Sequence, residues 1–151
     1  IDTGRLNHEA GLVNVLVSNG SAEPEIFEKV LSVTDAANID LKAFTDTFYR
    51  DLIHGDLGQV MENIRSAAAC TSCHLELTTL IIPGYNDSED DMREEAEWIA
   101  SLPEGAEIPL HISRFFPAYR MKNAAPTPVR TVYALADVAR EYLNYVYTGN
   151  C

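Results

Sequence analysis

Three features of the chain predict an α/β protein built on parallel strands. Short apolar or β-branched runs alternate with segments of helical periodicity. Each run ends in a turn rich in Gly, Pro, Asn or hydrogen-bonding side chains. The intervening helical segments have about 10–15 residues, a length that returns a chain to a neighbouring parallel strand.

The elements follow in order. The first residues read as the tail of a helix that Gly11 stops, so the polypeptide is expected to begin upstream of Ile1. Val13 to Val17 is a β-branched strand closed by Ser18-Asn19-Gly20. Pro24 suits a first helical turn, and Ile26, Phe27, Val30 and Leu31 then recur at helical spacing through Val33. Asn38 to Lys42 is the second strand, where alternation puts Ile39 and Leu41 on one face and Asp40 and Lys42 on the other. A loop with Gly55 and Gly58 leads to an amphipathic helix, Gln59 to Ala69. His74 to Ile82 is the third strand, closed by Pro83-Gly84. Ser88 with Asp91 resembles a capping box for the helix Glu89 to Leu102, and Glu89, Asp90 and Asp91 suit the positive end of its dipole. Ile108 to Phe116 is the fourth strand, Val129 to Tyr142 the last helix and Leu143 to Tyr147 the last strand. Five strands with four helices between them fit either an open doubly wound sheet or a piece of a barrel, and periodicity does not separate the two. No linker divides the chain, so residues 1–151 are read as one portion of one domain.

Composition narrows the function classes. The formal net charge is −12, with 23 Asp and Glu against 11 Lys and Arg. Nucleic acid and anionic membranes attract Lys- and Arg-rich surfaces, so neither is an expected partner. No apolar run approaches the ~20 residues that span a bilayer. The N-terminus lacks the basic-then-apolar pattern of a signal peptide. Cys70, Cys73 and Cys151 are an odd set without an export signal, which points to a reducing, cytoplasmic location.

Ligand sites of parallel α/β folds lie beyond the C-terminal ends of the strands. Those ends carry Ser18-Asn19-Gly20, Asp40-Leu41-Lys42, Ile82 to Asn86, Arg114 to Tyr119 and Tyr147 to Asn150, one polar rim suited to a small polar ligand. Asp40 and Lys42 are the sharpest pair. On one side of one strand they read either as a clamp, Lys for a carboxylate and Asp for an ammonium or hydroxyl, or as a structural ion pair. Ser18 and Asn19 read equally as turn residues, and His111 alone as a hydrogen-bonded core histidine. Cys70-Thr71-Ser72-Cys73-His74 matches the CxxCH pattern of haem attachment and the CxxC of thiol redox sites. It follows a helix and precedes a strand, the wrong dipole end for a reactive thiol. Two cysteines are also too few for an iron–sulfur cluster.

Five segments together carry a family resemblance. Asn38-Ile39-Asp40-Leu41-Lys42-Ala43-Phe44 resembles the Asp-Leu-Lys motif of radical S-adenosylmethionine (SAM) enzymes of the pyruvate formate-lyase activating type. Val15 to Gly20 resembles their fourth strand, and Leu80 to Ser88 their sixth strand with its Pro-Gly-x-Asn-Asp turn. His111 to Tyr119 and Tyr145 to Asn150 resemble the AmmeMemoRadiSam-system branch. The resemblance implies a parallel (β/α) half-barrel, the C-terminal part of a radical SAM partial TIM barrel. It implies SAM and a [4Fe–4S] cluster as cofactors, the cluster reducing SAM to release a 5′-deoxyadenosyl radical. The CxxxCxxC and Gly-Gly-Glu motifs that hold the cluster and the SAM amino group are absent from these residues and are expected upstream. Carried over by position, Asp40, Leu41 and Lys42 line the SAM site, with Ser18 and Asn19 nearby and His111 as a further contact; a second register puts Phe116 at that last position. A protein substrate and an electron donor are the implied partners. The competing readings are a non-catalytic α/β binding domain and a conventional barrel lyase or aldolase with Lys42 as its Schiff-base lysine.

Overall fold

The structure, a computed structural model, describes residues 1–151. A first helix, α1 (Asp2–Glu9), precedes the alternating units. These are β1 (Val15–Ser18), α2 (Pro24–Leu31), β2 (Ala36–Asp40), α3 (Leu57–Ala69), β3 (His74–Ile81), α4 (Glu89–Ala100), β4 (Leu110–Arg114), α5 (Val129–Ala139) and β5 (Val146–Gly149). The five strands make one sheet in the order β1-β2-β3-β4-β5, and every neighbouring pair is parallel.

That order decides between the two architectures left open by periodicity. Right-handed crossovers that step steadily in one direction leave every helix on the same face of the sheet. A doubly wound sheet needs a reversal of strand order, and there is none. The chain is a parallel half-barrel.

Burial follows from this one-sided winding. Ile39, Leu77, Ile81, Leu110 and Ile112 are fully buried and pack with Phe27, Val60, Ile64, Met92, Ile99 and Leu135 of the helices in one core. Each such side chain is stabilised by about 1.5–3 kcal/mol relative to exposure. Strand residues of opposite parity stay accessible: Val15, Val17, Asn38, Asp40, Glu76, Thr78, His111 and Tyr147 line the helix-free face.

Local signals set the helix starts. Pro24 occupies the first turn of α2. The Asp56 side chain accepts from the backbone N–H of Gln59 at α3, and Ser88 accepts from that of Asp91 at α4. The acidic first turn of α4 is present as expected.

Several boundaries differ from the sequence expectation, for physical reasons. β1 begins at Val15 because Asn14 is occupied as a tie: its amide donates to the carbonyls of Gly4 and Val33, and its backbone N–H donates to Asp35. β2 begins two residues earlier and ends at Asp40, leaving Lys42 just beyond the strand. β4 ends at Arg114 because Phe115 turns to bond Thr127. Leu143 caps the end of α5 within the core, so β5 starts only at Val146. The loop expected after β2 contains a π-helical turn, Phe48–Ile53, that buries Phe48 and Tyr49.

The turn after β1 shows how a strand end is fixed. Gly20 has φ +68°, and a Cβ there would lie 2.9 Å from Ile39 Cγ2 and 3.2 Å from Val60 Cγ1. Asn63 of α3, fully buried, donates its amide to the carbonyls of Gly20 (2.8 Å) and Ala22 (2.7 Å). Gly20→Ala combines left-handed strain with core crowding. It is expected to destabilise the protein by about 1–3 kcal/mol, read as a lower urea midpoint at unchanged m-value. A midpoint equal to wild type would show that the turn relaxes freely.

Candidate functional site

The C-terminal ends of β1 and β2, the π-helical turn and the start of α3 enclose a cavity of about 550 Å³. Its lining includes Asn19, Lys42, Tyr49, His54, Asp56 and Gln59. This volume is within the range of small-molecule sites. Lys42 reaches across the mouth to Asp40, with Nζ 2.7 Å from Oδ2. The two side chains keep 36% and 33% of their surface, so the pair is solvated and contributes at most about 1 kcal/mol to stability. It is an ion pair that a ligand can still approach.

The backbone that carries the pair is held from three directions. The Lys42 N–H donates to the Tyr49 hydroxyl (3.1 Å). The Lys42 carbonyl accepts from the Asn86 amide (2.8 Å), which also reaches the Leu80 carbonyl, while Asn86 Oδ1 accepts from the Ile82 N–H. The Leu41 carbonyl accepts from the Thr79 hydroxyl (2.8 Å). Desolvation pushes the Tyr49 phenol up to about 12, so it stays a neutral donor and acceptor.

Thr79 also meets Glu95, a fully buried residue of α4. A hydroxyl has one proton to give, and Thr79 gives it to Leu41, so the Glu95 carboxyl must be the donor to Thr79. Burial pushes Glu95 up to about 8, which keeps that proton in place at neutral pH.

The register places Asp40, Thr78, His111 and Tyr147 in one row across the helix-free face. His111 Nε2 lies 2.8 Å from Glu76 Oε2, and its ring stacks on Tyr147 with centroids 5.4 Å apart. His74 Nε2 is 3.2 Å from the other Glu76 oxygen. Burial raises the Glu76 carboxyl, but the hydrogen bonds from His74 and His111 outweigh it and hold the group below its ordinary value. Thr78 donates to Asn38 Oδ1 (2.8 Å).

The six residues singled out by sequence are therefore spread over three settings. Asn19 and Lys42 line the mouth cavity, and Asp40 is tied to it through its ion pair with Lys42. His111 lies on the open face, in the row of Asp40 but two strands away and bonded to Glu76. The side chains of Ser18 and Leu41 have the parity of the helix-covered face, so they reach a mouth ligand only through backbone atoms. Ser18 Oγ accepts from the Gly20 N–H and Leu41 is fully buried. Asn19 Oδ1 accepts from Ser21, so its side chain also shapes the turn.

Sequence reasoning does not mark Asn63 or Glu95, although a signal exists. Val60, Asn63, Ile64 and Ala67, and likewise Met92, Glu95, Ala96 and Ile99, follow i, i+3, i+4, i+7 spacing and are buried. A polar residue in the buried stripe of a helix must find a partner, and here each supports a strand end. Tyr49 and Glu76 carry no comparable sequence signal.

The CxxCH segment lies at the other end of the sheet. Cys70 and Cys73 border a cavity of about 500 Å³ with His74 and Glu107, all cysteines are free, and burial pushes the Cys73 thiol up. No group of three His, Cys, Asp or Glu side chains is placed to hold a metal ion. No helix is long and apolar enough to cross a membrane.

This architecture, a parallel half-barrel with a polar mouth, is that of radical SAM partial barrels. A domain of the pyruvate-formate lyase-activating enzyme from Bacteroides vulgatus matches 99% of this chain and 88% of its own, with a TM-score of 0.80 at 20% identity. A radical SAM methyltransferase from Sphaerobacter thermophilus matches 95% of the chain and 44% of its own length (TM-score 0.69, 15% identity). TYW1 with a lysine-pyruvate adduct bound matches 96% and 46% (TM-score 0.63, 18% identity). In sequence, the chain is 39% identical over 150 residues to an uncharacterized protein of Methanocaldococcus jannaschii, covering 99% of this chain but 44% of that relative. The chain thus spans less than half the length of the curated relative it matches. No family model matches it.

Glu95 generates a pH test. Its folded-state value of about 8 exceeds the unfolded value near 4.5, so the native state binds the extra proton between them. The resulting stability is complete below pH ~4.5 and is lost as pH rises through 8. Thermal melts from pH 5 to 8.5 are expected to show a falling Tm for wild type. The curve of Glu95→Gln, whose amide still donates to Thr79, should be flatter, with a difference on the order of a few kcal/mol across the range. Parallel curves would show that Glu95 ionises freely in the folded state.

Proposed function

We propose that this chain forms the SAM-facing half of a radical SAM enzyme resembling activating enzymes of the pyruvate formate-lyase type. The observation that carries the reading is the Asp40–Lys42 pair, held rigidly at the mouth of a barrel of radical SAM fold and bordering a cavity of suitable size.

The residues present suit SAM. The Lys42 ammonium offers a cation to the SAM carboxylate, and Asp40 either keeps that ammonium in position or accepts from the ligand. Asn19, Gln59 and His54 add polar edges around the same cavity. A SAM molecule held here would be a source of a carbon radical able to remove hydrogen from a substrate. This chain's part is to hold the ligand without slack, through a backbone fixed by Tyr49, Asn86 and Thr79. His111, joined to Glu76 and stacked on Tyr147, stands in the row of Asp40 on the open face, where a ligand extending from the mouth would meet it.

The residues present do not suit the cluster. Cys70 and Cys73 sit at the far end of the sheet from the mouth, and Cys151 follows β5. The thiolate ligands belong to residues outside these 151, and so do the contacts to the SAM amino group. The free cysteines suit a cytoplasmic setting. A protein substrate and an electron donor complete the reading.

The Schiff-base alternative is less well served. An amine nucleophile is favoured by a desolvated pocket or a second cation, whereas Lys42 is a third exposed and bonded to a carboxylate.

The test is SAM binding by the full-length polypeptide, loaded anaerobically with iron and sulfide. Lys42→Ala is expected to weaken calorimetric SAM affinity by about tenfold or more, roughly 1.4 kcal/mol, with iron–sulfur absorbance unchanged and a melt close to wild type. Wild-type SAM affinity in a variant with a lowered melt would assign the pair to the scaffold. Trapping of Lys42 by borohydride with a carbonyl substrate would favour the lyase.

A further inference from the structure

The cations of this acidic chain are not evenly employed. Arg5, Lys42, Arg50, Arg65, Arg93 and Arg140 each sit in an ion pair with an acidic side chain. Among the remaining Lys and Arg, only Lys29 lies outside residues 114–130; Arg114, Arg120, Lys122 and Arg130 are all within that stretch. Between Glu107 and Asp137 there is no acidic residue at all. A chain of net charge −12 has thus kept one segment free of counter-charges.

That segment is a built loop. It leaves the C-terminal end of β4, on the same side of the sheet as Asp40 and Lys42. Its base is closed by Thr127, which is fully buried. The Thr127 N–H donates to the Phe115 carbonyl, its carbonyl accepts from Arg114 Nε (2.6 Å), and its hydroxyl oxygen accepts from the Phe115 N–H and donates to the Ile81 carbonyl. Held at the base, residues 116–126 project as a compact loop of the kind that often carries function.

The tip has the chemistry of a protein interface. Phe116 is 52% exposed and Tyr119, at 76%, is the most exposed aromatic ring of the chain. The Arg114 guanidinium lies over the Phe116 ring at 4.7 Å and that of Arg120 over the Tyr119 ring at 5.2 Å. Stacking fixes each guanidinium plane while leaving donor edges free for carboxylates. Lys122 adds an exposed ammonium on the same tip. Tyr, Phe and Arg are the residues enriched where partners dock.

We propose that the loop spanning Phe115–Pro128 is a docking surface for a short acidic segment of a partner protein, seated beside the mouth of the barrel. A small-molecule site is disfavoured because Phe116, Tyr119, Arg120 and Lys122 line neither the mouth cavity nor the cavity at Cys70 and Cys73. A nucleic acid is disfavoured because its phosphates, one per ~1.7 Å of duplex axis, would extend past the patch onto a strongly acidic surface. A few carboxylates on a short segment match the patch. The surface does not depend on what the mouth binds.

The experiment uses fluorescence polarisation of a labelled synthetic peptide, Glu-Asp-Phe-Glu-Asp-Leu, with the full-length polypeptide in low salt and without SAM. Saturable binding that weakens with added salt is expected. Arg120→Ser combined with Lys122→Ser should weaken it at least tenfold, while Lys29→Ser on α2 leaves it unchanged. Both tip residues are exposed, and an unchanged circular dichroism melt confirms that folding is intact. The proposal is overturned if there is no saturable binding, if the double variant binds like wild type, or if the Gln-Asn counterpart peptide binds as well. A single-stranded oligonucleotide that binds more tightly and is lost in the same double variant would also overturn it, in favour of nucleic acid.

Discussion

Ile39, Leu77, Leu110 and Ile112 are wholly buried beneath the helices, and that burial constrains the rest of the molecule. Side chains alternate along a strand, so committing one parity to the helices sends the other parity to the open face. A slip of one residue in any strand would expose these apolar groups and bury Asp40, Glu76 or His111. The row Asp40, Thr78, His111, Tyr147 is the consequence of apolar burial behind it, not of attraction between its members.

Burial fixes which way a side chain points but not where a strand stops. That is settled by polar side chains reaching out of neighbouring elements. Asn63 holds the turn after β1, Thr79 and Asn86 hold the end of β2, and Thr127 holds the exit from β4. Each satisfies backbone groups that would otherwise end without partners in a partly buried place. Any ligand site at the strand ends would depend on this second level of order, because atoms there lie just past the last ladder hydrogen bond. Glu95 belongs to it as a neutral acid: the low polarity that raises its proton affinity lets it act as a donor beneath Leu41.

The two rims of charge differ in kind. Lys42 has a carboxylate partner and stands beside a cavity, which suits a small zwitterionic ligand. Arg114, Arg120 and Lys122 have no carboxylate partner, and the tip loop stands clear of the mouth cavity, which suits a surface contact. Their closeness along one end of the sheet would bring a docked partner near a ligand in the mouth.

The sequence by itself determined the alternation of strands and helices, the faces of β2, the cap of α4, and the stretch empty of acids. All of these are local: period, capping chemistry and composition are read within one segment. It also marked Asp40 and Lys42, because two residues apart on one strand is a spatial statement. Strand order was not legible in periodicity, which is identical in a half-barrel and a doubly wound sheet; the family resemblance implied the half-barrel, and the parallel order β1-β2-β3-β4-β5 bears it out. Nor were the bonds from Tyr49, Asn63, Asn86 and Glu95, or the Glu76–His111 bond, legible, because each reaches a residue on a different element. Only packing the helices on one face of an ordered parallel sheet brought those groups together. The physical reason is that hydrogen bonds act over about 3 Å in space, whereas the sequence records only distance along the chain.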